Sequence, residues 1–283
     1  MQSNNPVFRR AEGFGQPSNN AYGNMTYAGN GAPHAGYGQD PSQWSTGAPQ
    51  APGAGAPMTI DSVVQKGAIT LGVVVLTAIA TWVLTPDIGS ATANIAPLYM
   101  AATLGAGAAF ILSLVNSFKR VISPALVLAF AVAEGVALGA LSKVFDAMIG
   151  GGIVVQAVIG TFAAFAGTLA AYKFFNIKVG AKFRTFVIAA MFGMVGLSLL
   201  EVVLGMFGAS FGLFGLGTLG LITAVIGLAL GVFMLILDFD QIEQGIRAQL
   251  PERESWRAVF GLTVSLVWIY TNLLRLLAIF QQD

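Results

Sequence analysis

The chain has 283 residues, of which 55% are hydrophobic and only 10% are charged. A typical soluble domain is about 25% charged, so this composition indicates a membrane protein. The net charge of +1 gives no basic field for nucleic acid, and we expect no nucleic-acid partner. The absence of cysteine excludes disulfides and cysteine-based zinc sites, and the single histidine is His34. We expect no resident metal site, no cofactor and no histidine general base.

Residues 1–58 form one polar block, rich in Gly, Asn, Gln, Pro and Tyr. The block has no apolar run, so it cannot bury enough surface to offset the entropy lost on ordering. We predict a disordered N-terminal tail without a cleavable signal segment. Its spaced aromatic residues leave two interpretations open, a solvated tether and an arm that docks onto another protein.

Residues 59–283 are predicted to form an all-α integral membrane protein, a seven-transmembrane-helix bundle. Thr59 or Asp61 is the candidate cap of the first helix, and Ser123-Pro124 is typical of a helix start. Seven apolar stretches are each near the ~20 residues that a bilayer core requires. They lie at about 67–85, 95–116, 121–142, 150–172, 184–206, 214–237 and 258–280.

Small residues recur at four-residue spacing within these stretches. Gly135 and Gly139 form one such pair, and Gly227 and Gly231 form another. Such pairs allow helix backbones to approach closely in a membrane, where no hydrophobic force drives helix association. Glycine is common in membrane helices, so one pair alone is weak evidence of a contact, but the set favours a compact bundle.

The short connections between the stretches differ in charge. Positive residues concentrate in alternate connections, which by the positive-inside rule face the cytoplasm. We therefore predict a multi-pass protein of a bacterial inner membrane, with a cytoplasmic N-terminus and an external C-terminus. The positive connections carry Lys119 and Arg120, then Lys173, Lys178, Lys182 and Arg184, then Arg247, Arg253 and Arg257; the opposite ones carry Asp87, then Lys143 and Asp146, then no charge in 207–213.

Glu134 lies in the middle of the third apolar stretch. A carboxylate at membrane depth is costly, so it must face the bundle interior or water, be protonated, or find a partner. Two interpretations remain open for Glu134, a residue on an ion or proton pathway and a hydrogen-bonded packing residue. For Glu201, late in the fifth stretch, we favour a simple reach to the membrane interface.

Asp238 and Asp240 end the sixth apolar stretch. Two helical residues differ by about 200° in direction, so the two side chains diverge and cannot jointly bind one ion. Asp238 follows an unbroken apolar run and is the better candidate for an inward-facing carboxylate. Asp240 is predicted to lie with Glu243 and Arg247 on a solvated helix end.

Asn272 and Arg275 lie three residues apart in the seventh stretch and hence on one helix face. Asn272 is the deeper of the two and can hydrogen-bond a buried carboxyl group. Arg275 is close to the outer end, where it can extend to the interface or serve as a counter-charge.

Three motifs make the chain resemble the Bax-inhibitor-type (YccA-like) membrane family, also called the TMBIM family. They are Ser123-Pro124 with the later Glu134-Gly135, the run from Leu237 to Ile242, and the run from Tyr270 to Leu277. The resemblance covers residues 59–281, and the long tail is similar to that of a subgroup of bacterial members. It implies a seven-helix bundle in which six helices surround the seventh.

The resemblance also implies a pH-sensitive calcium leak, in which an aspartate ending span six and another within span seven share a proton. Asp238 matches the first aspartate, with Asp240 as the other candidate. The second should fall near Asn272, or at Ile269 in another register, and neither is acidic. Residues 255–282 contain no acid at all. An Asp–Asn pair cannot share a proton in this way, so we expect weaker or shifted pH sensing, a leak biased by Glu134, or no transport.

Two functions of different class therefore compete. The first is a passive leak for calcium or another cation, with Asp238 as its pH-sensing carboxylate and Asn272 as the partner. The second is a non-conducting regulator that binds another membrane protein, for instance a membrane protease, in stress responses. An intramembrane hydrolase is disfavoured because no catalytic motif is present and only Asp238 lies at a suitable depth. The resemblance implies no small ligand other than a transported calcium ion. The expected surroundings of the protein are the lipid bilayer.

Overall fold

A computed structural model describes residues 56–88, 96–150 and 152–282. These residues form seven α-helices and no strand, and all seven helices are long and apolar enough to cross a membrane. The predicted fold class is therefore confirmed. A 3₁₀ turn, Glu252–Glu254, precedes the last helix. The helices are α1 (Ile60–Leu84), α2 (Ala96–Phe118), α3 (Pro124–Ile149), α4 (Ile153–Phe174), α5 (Ala181–Met206), α6 (Thr218–Arg247) and α7 (Ser255–Gln281).

The predicted helix starts agree closely with the structure at two caps. Thr59 is the N-cap of α1, where it exchanges hydrogen bonds with Ser62 in a capping box. Ser123 is the N-cap of α3 and Pro124 is its first residue. Proline is tolerated there because the first turn of a helix has no acceptor for its missing N–H.

Two helices extend past their predicted ends. The helix α6 continues to Arg247 instead of ending near residue 237, so Asp238 lies inside a helix of 30 residues. Nothing between residues 238 and 245 breaks a helix, and the pair of Glu243 and Arg247 stabilises the last turns. The helix α3 likewise continues to Ile149, because no helix-breaking residue occurs before Gly150. Lys143, which was predicted in a loop, therefore lies inside α3.

The last helix, α7, is the most central one. It packs directly against α1, α3, α4 and α6, whereas α2 packs mainly on α3 and α5 mainly on α6. Tyr270 and Leu274 of α7 share a core cluster with Val74 of α1, Ala131 of α3 and Ile153 of α4. The expected arrangement of six helices around the seventh is thus uneven, because α2 and α5 lie at the periphery.

Glycines allow the closest approaches between helices. A Cβ at Gly135 would overlap Thr77 and the backbone of Val74, and one at Gly139 would overlap the backbone of Ala78. On the other side of α3, Gly105 of α2 lies against the α3 backbone in the same way. The predicted role of the Gly135 and Gly139 pair in close helix packing is confirmed.

Residues 56–58 are ordered and pair with the connection between α6 and α7. Pro57 and Pro251 form an antiparallel bridge, and Met58 N donates to Leu250 O at 2.7 Å. Met58 is 2% exposed and packs under Gly245 of α6. We call residues 56–58 the clasp. Residues 56–58 of the predicted tail thus pack on the helical bundle, and residues 1–55 lie outside the described part of the chain.

Several contacts bring the start of α1 and the α6–α7 connection to one end of the bundle, which we call the hinge end. Lys66 of α1 pairs with Glu252 at 2.8 Å, and Ser62 Oγ lies 2.7 Å from Ser255 Oγ. Arg257 of α7 donates to Arg120 O, so the α2–α3 turn lies at the same end. Arg184, which follows the α4–α5 connection, pairs with Asp240 in the last turns of α6. The three positively charged connections therefore meet at the hinge end.

Lys143 lies near the opposite end and caps α1. Its side chain is 7% exposed, and Nζ donates to Trp82 O at 2.8 Å and Thr85 O at 2.6 Å. A cation is favoured there because the last carbonyls of a helix carry partial negative charge. Asp87 completes the site with an ion pair of 2.9 Å.

Candidate functional site

Asp238 lies on the inner side of α6, as predicted, and faces α7. Ser265 Oγ donates to Asp238 Oδ2 at 2.5 Å. Gly261, one turn earlier on α7, leaves room for the carboxylate, since a Cβ there would lie 3.1 Å from Asp238 Oδ1. Asp238 has no ion-pair partner among the described residues. The carboxylate is therefore held by a neutral donor.

A cleft of about 720 Å³ opens beside Asp238, between α2, α5 and α6. We call it the Asp238 cleft. Phe110 and Ser113 of α2 form one wall, and Arg184 of α5 lies near the hinge end with Gln241 of α6. Farther from the hinge end the walls of the cleft are apolar, so its polar groups concentrate at the level of Asp238. The cleft exists because the peripheral helices α2 and α5 do not close over α6.

A second cleft, of about 510 Å³, lies between α2, α3 and α7 and contains Glu134. We call it the Glu134 cleft. Trp268 and Thr271 of α7 also line it, with Phe110 and Ser113 of α2. Glu134 has no hydrogen-bond or ion-pair partner within the described ranges. Phe110 and Ser113 line both clefts, so the two carboxylates lie on adjoining spaces separated by one wall of α2.

Asn272 does not pair with Asp238. Its Nδ2 donates to Trp268 O at 2.8 Å, one turn back in its own helix, and its side chain packs on Gly227 of α6. Trp268 Nε1 donates to Gly227 O at 2.8 Å at the same level. Two helical turns, about 10 Å, separate Asn272 from Ser265, which faces Asp238 instead. The expectation that Asn272 is the span-seven partner is therefore wrong.

Asp240 does not lie on a solvated helix end. Its side chain is 13% exposed and pairs with Arg184 of α5 at 3.0 Å. It was expected in solvent because α6 was expected to end near residue 237; the helix continues and α5 covers this face. Gln244 also donates to Asp240, at 2.6 Å. Asp240 therefore links α6 to α5 and leaves Asp238 as the carboxylate in the cleft.

Glu243 links α6 to α4. Tyr172 Oη donates to Glu243 Oε2 at 2.7 Å, while Arg247 donates to the other oxygen at 2.5 Å. Only the predicted pair of Glu243 and Arg247 was visible from sequence spacing. The contacts of Glu243 and Asp240 hold the hinge end of α6 against two neighbouring helices.

Arg275 acts at the opposite end of α7. Its Nη2 donates to Gly220 O at 2.9 Å and Thr223 Oγ1 at 2.8 Å, and its guanidinium lies 5.0 Å from the centre of the Phe214 ring. No carboxylate pairs with it in the described part of the chain. The predicted counter-charge role is therefore wrong, and Arg275 instead holds the start of α6.

Glu201 organises the same connection. It accepts hydrogen bonds from Phe211 N at 3.2 Å and Gly212 N at 2.8 Å. A carboxylate thus satisfies N–H groups of the α5–α6 connection, while Arg275 donates to Leu213 O of the same connection at 3.4 Å and to Gly220 O in the first turn of α6. The expected reach of Glu201 to the interface is refined to a specific loop contact.

Sequence reasoning missed Ser265 and Ser113. Ser265 lies seven residues before Asn272 and hence on nearly the same face of α7. Finding it from Asp238 requires the points at which α6 ends and α7 begins, which hydropathy does not mark. Ser113 donates to Phe110 O within its own helix, which gives no sign of a functional role in the sequence. Its position at both clefts follows only from the packing of α2.

The two clefts contain side-chain oxygen atoms and few positively charged groups. Asp238 and Ser113 supply oxygens around one cleft, and Glu134 and Thr271 supply them in the next. Hard cations such as calcium prefer oxygen ligands, so the arrangement suits transient cation binding.

The family model described as Bax inhibitor 1 like matches residues 5–282. No curated protein matches the chain.

Proposed function

Because the chain belongs to the Bax inhibitor 1 like family, we propose that it is a pH-linked leak for calcium or another cation. In this proposal it resides in a bacterial inner membrane with the hinge end in the cytoplasm. It conducts passively and catalyses no reaction. The proposed activity comes from the resemblance to Bax-inhibitor-type proteins. The residues proposed to carry it come from the arrangement of carboxylates in the structure.

The observation that carries the proposal is the pair of adjoining clefts. Asp238 lies in one and Glu134 in the other, and both clefts are bounded by Phe110 and Ser113. Carboxylates at membrane depth mark ion pathways in many membrane proteins because their burial is otherwise costly. A cation would approach Asp238 from the hinge end and pass to Glu134 across the shared wall of Phe110 and Ser113.

The link to pH comes from the surroundings of Asp238. Ser265 of α7 is its hydrogen-bond donor, and Arg184 of α5 is the nearest cation that lines the cleft. Arg184 is already paired with Asp240. Protonation of Asp238 would remove the charge that attracts a cation, so the leak should decrease as the medium becomes acidic.

The test is calcium flux into proteoliposomes at about pH 6, 7 and 8, a range that brackets a titrating carboxyl group. We expect Asp238→Asn to lower flux roughly tenfold, since a close carboxylate–cation attraction is worth more than about 1 kcal/mol. Glu134→Gln should lower flux as well if the second cleft belongs to the same path.

The matched control is Asp61→Asn, the same chemical change at an exposed position in the first turn of α1. It should leave flux and its pH dependence unchanged. Equal flux from the wild type and from empty liposomes would refute the leak for this chain. Flux that is indifferent to Asp238→Asn would refute Asp238 as the pathway carboxylate.

The alternative is a non-conducting regulator that binds another membrane protein, such as a membrane protease. The clasp favours it, because residues 56–58 fix the base of the tail beside the α6–α7 connection. A partner that binds the tail would thus be tethered to the bundle through residues 56–58. Neutral Ser265 opposite Asp238, where a proton-sharing pair would need a second acid, also fits a protein that does not conduct.

Removing residues 1–55 distinguishes the two functions. A leak should retain its flux in proteoliposomes, whereas a regulator should lose co-purification with its membrane partner. The variant should keep Ala56, whose carbonyl accepts from Glu252 N at 2.7 Å, because this contact belongs to the bundle.

A further inference from the structure

The connection between α4 and α5 carries cations without counter-charges. Lys173, Lys178 and Lys182 are all exposed, and none has an ion-pair partner among the residues that the structure describes. No Asp or Glu occurs between residues 173 and 184. We call residues 173–182 the cationic surface.

Several other cations at the hinge end are paired with carboxylates. Arg247 pairs with Glu243 at 2.5 Å and Arg257 pairs with Glu254 at 2.7 Å. Lys66 pairs with Glu252. Positive charge at this end is therefore not uniform, and the α6–α7 connection supplies its own carboxylates. Lys119, Arg120 and Arg253 also have no ion-pair partner among the described residues. The cationic surface stands out because it has three lysines within ten residues and no carboxylate among them.

Two aromatic rings project from the same turn. Phe174 is 83% exposed and Phe175 is 78% exposed, at the end of a helix long enough to span a membrane. Rings beside lysines are typical of segments that lie at the boundary between headgroups and acyl chains. An acidic protein segment would balance the charge but would leave both rings without an apolar environment.

We propose that the cationic surface binds the headgroups of anionic phospholipids. The lysine ammonium groups contact lipid phosphates, while Phe174 and Phe175 insert among the acyl chains. Lysines near an anionic leaflet each contribute about a fivefold preference, so three of them select anionic over zwitterionic lipid. The site does not depend on whether the protein conducts ions.

The absence of cysteine allows a site-specific test. The full chain carries a single fluorescent label at Ala181→Cys, an exposed residue beside Lys182. It is placed in nanodiscs that contain a trace of spin-labelled phosphatidylglycerol or spin-labelled phosphatidylcholine. The quantity measured is the ratio of quenching by the two lipids. We expect phosphatidylglycerol to quench at least about fivefold more efficiently.

Three variants locate the effect. Replacing all three lysines by glutamine should bring the quenching ratio close to one, and replacing them by arginine should preserve it. The charge-matched control is Lys119→Gln with Arg120→Gln and Arg253→Gln, which removes three positive charges elsewhere at the hinge end and should preserve the ratio. A label at Ser117→Cys, beside Lys119, should report a smaller ratio than the label at residue 181.

Three outcomes would overturn the proposal. Equal quenching by both lipids in the wild type would show that the surface does not recognise anionic headgroups and would leave an acidic protein as the occupant. An unchanged ratio in the glutamine variant would show that these lysines do not bind lipid. Loss of the ratio in the charge-matched control would assign the preference to the net charge of the whole end.

Discussion

Ser265 Oγ donates a hydrogen bond of 2.5 Å to Asp238 Oδ2, so a fully buried serine of α7 holds the carboxylate of α6. The two helices run antiparallel, and this contact sets their register near the hinge end. Asn272 lies two turns farther along α7, against Gly227. The position that corresponds to a second acid in a proton-sharing pair is therefore that of Ser265.

The first prediction concerns this register. Ser265→Asp should steepen the pH dependence of calcium flux, because two facing carboxylates repel and share one proton near neutral pH. Asn272→Asp should not, since that side chain contacts α6 at the level of Gly227. The measurement is flux in proteoliposomes between about pH 5 and 8. A steeper profile in Asn272→Asp with none in Ser265→Asp would contradict the register.

The second prediction concerns helix packing. Gly139→Ala should lower the free energy of unfolding by about 1–3 kcal/mol, because its Cβ would overlap the backbone of Ala78. Gly107→Ala is the control, since nothing lies within 4 Å of a Cβ at that position. Thermal unfolding in detergent compares the two. Equal losses of stability would show that α1 and α3 are not packed backbone to backbone.

The third prediction concerns the cap of α1. Lys143→Met should destabilise the protein by about 1–3 kcal/mol, because the carbonyls of Trp82 and Thr85 would lose their buried donor. Asp87→Asn should have a much smaller effect, since the Asp87 side chain is 94% exposed and an exposed ion pair contributes little. The same unfolding assay measures both variants. A larger effect at Asp87 would assign the role of Lys143 to the ion pair instead of the cap.

The fourth prediction concerns the clasp. Met58→Ala should destabilise the protein by about 2 kcal/mol or more, because Met58 is 2% exposed and packs under α6. Hydrogen exchange of the residue 58 amide should accelerate in the same variant, because this amide donates to Leu250 O.

Ile60→Ala is the control for the clasp, because Ile60 is 65% exposed. It should leave the exchange of the Met58 amide slow. Fast exchange in the wild type would show that the clasp is open in solution and would remove the basis for its role as the anchor of the tail.

The sequence predicts the helices well because each one has to cross a bilayer as an apolar run of defined length. Its caps are also readable, as Thr59 and Pro124 show. The end of α6 was not readable, because a helix that leaves the membrane continues through polar residues without a change of conformation. Hydropathy marks where Leu237 ends the apolar run, whereas the helix itself ends at Arg247.

The candidate site was predicted only in part. The inward direction of Asp238 follows from the apolar run before it, but its partner depends on how α7 returns after the connection. An amide in an apolar helix is conspicuous, which favours Asn272 in the sequence, whereas the hydroxyl of Ser265 is inconspicuous. The pair of Arg184 and Asp240 joins residues 56 positions apart and depends on the packing of α5, which no local pattern encodes.

The glycine contacts divide the bundle into parts of unequal rigidity. Backbone meets backbone where Gly135 and Gly139 lie on α1 and where Gly105 lies on α3, so α1, α2 and α3 have no layer of side chains that can rearrange between them. The helix α5 buries only Val187 and Met194 and rests mainly on α6. The least costly way to widen the Asp238 cleft is therefore a rigid-body movement of α5 away from α6 while α1, α2 and α3 stay fixed.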